Sequence, residues 1–138
     1  MKKLITVFLC MMLFASIQAQ ENLRKLDLNL ENYEYPYPVN FLEIEAQQAT
    51  YTMAYMYVQA RVPNGKTVTL LHGKNFNGAY WETTITELTE AGFNVLVPDH
   101  IGFGKSSKPQ YFQYSFQQLA ENTKTLIEAL QIENSTIL

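Results

Sequence analysis

His72-Gly73-Lys74-Asn75-Phe76-Asn77-Gly78 is the first stretch of this chain whose residue types and spacing could do chemistry. It leaves a short apolar run and leads into a helix. A glycine at position 73 lets the backbone turn sharply, so the following N–H groups can point into a cavity. Amides aimed this way near a helix start can hold an oxyanion as it forms during acyl transfer. Any residue can supply such an amide, Lys74 included. The His72 side chain has no paired acid or metal partner nearby in sequence, so it reads as a turn residue bonded to local backbone.

The second stretch is Val97-Pro98-Asp99-His100-Ile101-Gly102-Phe103-Gly104-Lys105-Ser106-Ser107-Lys108-Pro109. Gly104-Lys105-Ser106 suggests a phosphate loop. That motif needs a glycine where this chain has Asp99, and its lysine opens a helix directly. Here Pro109 intervenes and the next helix waits until Ser115. The nucleotide reading fails on both counts.

Strands and helices must hold these two loops in place. Phe41 to Ala46 alternates, with Leu42, Ile44 and Ala46 on one face and Glu43 and Glu45 on the other. Thr50 to Ala60 is a second strand, with Met53, Tyr55 and Tyr57 opposite to Ala54, Met56 and Val58. Pro63 to Lys66 is a turn. Thr67 to Leu71 and Phe93 to Val97 are continuous apolar or β-branched runs, as expected of strands buried on both faces. Between them Tyr80 to Ala91 reads as a helix. Trp81, Ile85 and Leu88 form its stripe, and Gly92 is its left-handed stop.

Ser115 opens a second helix, with Gln118 completing a capping box. Phe116, Leu119, Ala120, Leu126, Ile127 and Leu130 form its expected buried stripe. Ser135 to Leu138 begins a fifth strand. The class is α/β: two edge strands, then strand-helix-strand-helix-strand of a mostly parallel sheet. Both chemical loops leave the carboxyl ends of strands, where such sheets build their sites.

The start of the chain is set apart from this pattern. Lys2 and Lys3 precede an apolar run from Leu4 to Phe14 and a small, polar exit from Ser16 to Ala19. That is the layout of a signal peptide spanning residues 1–19, and the apolar run is too short to span a bilayer. The chain is therefore expected to be exported, periplasmic or extracellular, with no membrane contact after cleavage. Residues 20–40, polar and then rich in tyrosine and proline, read as an extended leader lying across a domain formed by residues 41–138. Cleavage would remove two lysines and Cys10, leaving 8 basic and 13 acidic residues, a net −5, and no cysteine. No disulfide could then support the fold, and no basic block suggests nucleic acid.

In this order, with one helix between them, these motifs resemble the α/β-hydrolase superfamily. The resemblance rests on His72-Gly73 closing one strand, Tyr80-Trp81 starting the helix, and Pro98-Asp99-x-x-Gly102-x-Gly104-x-Ser106 closing the next strand. It runs from about Phe41 to Leu138 and implies the amino-terminal part of an α/β-hydrolase fold. It implies hydrolysis of an ester, amide or related bond in a small-molecule substrate, without cofactor or metal. By position, the Lys74 N–H would be one oxyanion donor, and Asn75 and Phe76 would line the substrate site. His72, Gly73, Asp99, Gly102, Gly104 and Ser106 would be structural loop residues, the Asp99 carboxylate holding loop amides.

The family's nucleophile sits on a Gly-x-Ser-x-Gly elbow after the fifth strand, followed by the acid and the histidine. All three are expected beyond Leu138. Ser106, Ser107, Ser115 and Ser135 lack that context, and His72 and His100 both precede them. The chain reads as a fragment of an exported serine-type hydrolase, inactive as it stands. Two alternatives stay open: a relative with an aspartate nucleophile acting on epoxides or carbon–halogen bonds, and a non-catalytic binding protein derived from a hydrolase. An unfinished sheet without disulfides also predicts that the isolated mature chain is unstable or molten. A cooperative thermal melt of a soluble monomer would contradict that expectation.

Overall fold

The computed structural model describes residues 27–138. The expected signal peptide and the first leader residues, 20–26, lie outside the described residues. The strands are β1 (Val39–Ala46), β2 (Ala49–Val58), β3 (Thr67–Thr69), β4 (Asn94–Pro98) and β5 (Ser135–Ile137). A 3-10 turn, Gly78–Trp81, leads directly into α1 (Glu82–Glu90), and α2 (Phe116–Ala129) joins β4 to β5. The sheet order is β1-β2-β4-β3-β5.

Local connections dictate the pairing. β1 and β2 are joined by a two-residue turn, so they can only run antiparallel. The crossovers through α1 and α2 make β3 parallel to both β4 and β5. β2 meets β4 antiparallel. The sheet is thus mixed, with two parallel pairings of four, where a mostly parallel one was expected. β2, expected at an edge, lies inside: it pairs with β1 along one side and with β4 along the other.

The alternation read from the sequence sorts side chains onto two faces. Ile44, Ala46, Met53 and Leu96 pack with Leu126 of α2 on one face. Met56, Val68, Leu70, Val95 and Val97 pack with Ile85 of α1 on the other. α1 stops at Gly92, whose φ of +90° is the left-handed conformation a side chain resists. The Phe93 N–H reaches back to Leu88 O at 3.0 Å.

The second helix departs from expectation in two ways. The Ser115 hydroxyl oxygen accepts the Gln118 N–H at 3.1 Å, but the Gln118 amide turns forward and donates to Asn122 Oδ1 at 2.8 Å. One half of the capping box is therefore replaced by an i,i+4 pair. Asn122, Thr123 and Leu126 are the buried positions, while Phe116 is 88% exposed and Ala120 is exposed too. Only part of the apolar stripe lies over the sheet; Phe116 and Ala120 fall on its flank and border an open hollow. The leader differs as well. Near Asp27 it is turned rather than extended, because the Asp27 carboxylate accepts the N–H groups of Asn29, Glu31 and Asn32. Beyond it, Tyr35 and Tyr37 pack against the α1-side cluster.

Gln47 and Gln48 form the β1–β2 turn with φ of 50° and 64°. That suits the strand twist but strains residues carrying a Cβ. The Gln47 amide donates to Gln113 O and accepts the Gln113 N–H, both at 2.9 Å, so it clamps the approach to α2. Replacing Gln48 by glycine should stabilise the complete gene product by about 0.5–1 kcal/mol, read as a higher urea midpoint. Gln47→Gly should show no such gain, because the clamp is lost.

Candidate functional site

The two loops singled out in the sequence lie side by side at the carboxyl ends of β3 and β4. Hydrogen bonding continues past the β3 ladder: Leu70 donates to Leu96 O at 2.8 Å, and Leu71 donates to Leu138 O at 2.9 Å. His72, 7% exposed, then joins the loops. Its Nε2 accepts the His100 N–H at 2.9 Å. The ring proton therefore resides on Nδ1, which donates to Gly73 O at 2.9 Å. Both ring nitrogens are occupied by backbone, and the imidazole fixes the spacing between the loops.

Lys74 and Asn75 follow. The Phe76 N–H donates to Gly73 O at 3.2 Å, closing a tight turn in which Asn75 has φ 70°. Asparagine tolerates that region better than most side chains. Among the described residues, nothing accepts the Lys74 N–H. Lys74 borders the hollow flanking α2, which measures ≈960 Å³ and is also bordered by His72, His100, Phe116, Ile127 and Ile137. Asn75 and Phe76 do not border it. Phe76 instead lies beside Tyr80, ring centroids 5.4 Å apart, on the helix-start side.

Asp99 is the hub of the second loop and is 1% exposed. Its Oδ1 accepts the Gly78 N–H and its Oδ2 the Lys105 N–H, each at 2.7 Å. The Tyr35 hydroxyl also donates to Oδ2, at 2.6 Å. Gly104, at φ 52°, has no space for a side chain, since a Cβ there would fall on the Asp99 carboxylate. A Cβ on Gly102 would strike the Tyr114 hydroxyl.

Ser106 and Ser107 let the same loop stand in for a strand. The Ser106 hydroxyl donates to Asp99 O at 2.6 Å and accepts the Ala54 N–H at 2.8 Å. Ser107 exchanges bonds with Thr52 through its backbone N–H and its hydroxyl oxygen. The half of β2 that runs beyond β4 is sealed in this way.

His100 is buried, and its Nδ1 has no hydrogen-bond partner among the described residues. Burial first, and then the neighbouring His72, push its pKa down to about 4, against a smaller opposing pull from Asp99. The folded state therefore holds His100 neutral where the unfolded chain would already be protonated. The contribution of this histidine to stability is complete above pH 6.5 and declines as pH falls from there toward 4, by up to about 1.4 kcal/mol per pH unit. His100→Gln should flatten that part of the stability profile in urea titrations at several pH values.

The sequence reading gave Gly78, Tyr35 and His100 no role in the site. Gly78 could have been found: Asn77-Gly78 is a helix-start pair, and Asn77 Oδ1 accepts the Ala79 N–H at 2.9 Å. No local signal assigned Tyr35 its partner 64 residues away. Among the described residues, no group of three His, Cys, Asp or Glu could hold a metal ion, and no helix is long and apolar enough to cross a membrane.

A family profile described as the alpha/beta hydrolase fold matches residues 66–138, which contain both loops. The chain belongs to the α/β-hydrolase fold family. This α/β-hydrolase chain is 35% identical, over 83% of its length, to a haloalkane dehalogenase of Mycolicibacterium paratuberculosis. Its structure resembles a probable hydrolytic enzyme of Pseudomonas aeruginosa, with a TM-score of 0.77 and 46% identity over 79% of this chain. It also resembles the haloalkane dehalogenase DpaA of Paraglaciecola agarilytica, with a TM-score of 0.66 and 29% identity over 75% of this chain. The matches cover 38%, 35% and 34% of those three proteins, respectively.

Proposed function

We propose that this chain forms the amino-terminal part of an exported hydrolase that cleaves an ester, amide or related bond in a small molecule. In this reading a serine beyond Leu138 attacks, and the Lys74 N–H holds the resulting oxyanion. The observation that carries the reading is the junction of β3 and β5. Leu138 donates to Thr69 O and accepts the Leu71 N–H, both at 2.9 Å. A nucleophile elbow following β5 would emerge beside the His72–Lys74 turn, where Lys74, whose N–H has no acceptor among the described residues, borders the hollow. The order of charges, apolar run and small residues from Lys2 to Ala19 supports export.

A second reading has an aspartate at the elbow, displacing a halide from carbon. Likeness to two proteins named as haloalkane dehalogenases favours it. One experiment separates the two. One portion of the complete gene product is treated with a fluorophosphonate probe, and an untreated portion is assayed on p-nitrophenyl acetate and on 1-bromobutane. Labelling of a serine past Leu138, together with ester turnover, supports the first reading. Halide release without labelling supports the second, and the absence of labelling and of both turnovers counts against both readings. Amino-terminal sequencing of the mature product tests export, which requires a start at Gln20.

A further inference from the structure

Among the described residues Tyr35 supplies the one hydroxyl on the buried Asp99 carboxylate, and it comes from the leader rather than from either loop. Asp99 Oδ1 holds Gly78, the first residue of the 3-10 turn that begins two residues after the Gly73–Phe76 turn presenting Lys74, and Oδ2 is shared between Lys105 and Tyr35. The surroundings are close-packed. Gly104 packs directly on it, and a Cβ on Gly78 would come within 2.9 Å of Val97 Cγ1. The leader is also tied to the second loop through Lys105, whose Nζ lies 5.1 Å from the Tyr35 ring centroid and donates to Leu30 O at 2.7 Å.

Burial, and then the Asp99 charge, hold the Tyr35 phenol well above its ordinary pKa, so it remains a donor across the working pH range. A carboxylate with two donors on one oxygen is restrained in rotation. Without the hydroxyl, Oδ2 keeps the Lys105 amide alone. An oxyanion donor must sit within a few tenths of an ångström of its place, and misplacement by about 1 Å can cost roughly a hundredfold in rate.

We propose that Tyr35 is a positioning residue: by orienting Asp99 it fixes Gly78, and through Gly78 it sets the aim of the Lys74 N–H. The proposal rests on the reading of Lys74 as an oxyanion donor. In the complete gene product, Tyr35→Phe should lower kcat about tenfold on p-nitrophenyl acetate while KM stays within about twofold, because the donor acts in the transition state. It should also speed hydrogen exchange at the Gly78 amide. Tyr37→Phe is the control: Tyr37 lies in the same leader and bonds Thr86 Oγ1 at 2.9 Å, away from Asp99. It should change neither readout.

An unchanged kcat in Tyr35→Phe, whatever happens to its melting temperature, would overturn the proposal, as would unchanged exchange at Gly78. An equal kcat loss in Tyr37→Phe would also overturn it, by reducing Tyr35 to general support. Failure of the underlying reading looks different: replacing the residue 74 amide by an ester would then leave kcat intact.

Discussion

Replacing the peptide N–H of Lys74 by an ester oxygen should lower kcat of the complete gene product by about 10²–10³-fold, with little change in KM. The substitution deletes one donor and keeps the backbone path, so it isolates the hydrogen bond from the shape of the turn. The expectation is large because the amide is held from both sides. His72 pins the start of the turn through two backbone bonds, and Asp99 pins Gly78, two residues beyond its end. A donor so restrained needs little reorganisation when charge develops on the substrate oxygen. Steady-state kinetics on an activated ester supply the measurement. A loss confined to KM would assign Lys74 to ground-state binding, and no loss would move the oxyanion elsewhere.

Asp99→Ala should be the most damaging single substitution for stability, at about 3–5 kcal/mol. Three donors converge on the carboxylate: the N–H groups of Gly78 and Lys105 and the hydroxyl of Tyr35. Removal of the acceptor strands each of them in a site 1% exposed. Asn should cost less than Ala, since it retains one acceptor, but its NH₂ would oppose one of the donors. Gly104→Ala should approach the same loss from the opposite side by forcing the carboxylate out of place. Urea denaturation of the three variants gives the ranking. An Asp99→Ala protein within about 1 kcal/mol of the parent would refute the hub.

These effects mark what could be read from the sequence and what could not. The alternation of Met53 and Tyr55 against Ala54 and Met56 assigned both faces of β2, because a strand's period is short and local. The covered runs Thr67–Leu71 and Phe93–Val97 announced the sheet's centre for the same reason. The place of β2 inside the sheet was not legible, since edge pairing depends on a strand that follows it by about 36 residues. The stripe of α2 was misjudged at Phe116 and Ala120, because helical spacing gives a helix's apolar face but not how far the sheet beneath extends. At the loops, glycine spacing showed tight turns. The partners of those turns came from Tyr35 and from Ser106 acting on β2, contacts between distant segments that no local pattern encodes.

The strand order has a consequence for the order of events during synthesis. β2 and β3 are neighbours in sequence, joined by a short turn through Pro63 and Gly65, yet β4 lies between them in the sheet. Adjacent strands on a short loop meet soonest, so a nascent chain can form a β2–β3 hairpin before β4 leaves the ribosome. That hairpin must open for Asn94–Pro98 to enter. The exposed turn, Arg61 to Lys66, with its proline and its charges, weakens the early pairing. The centre of this sheet is thus a gap held open in time, and growth of the chain at about 5–20 residues per second sets how long it waits.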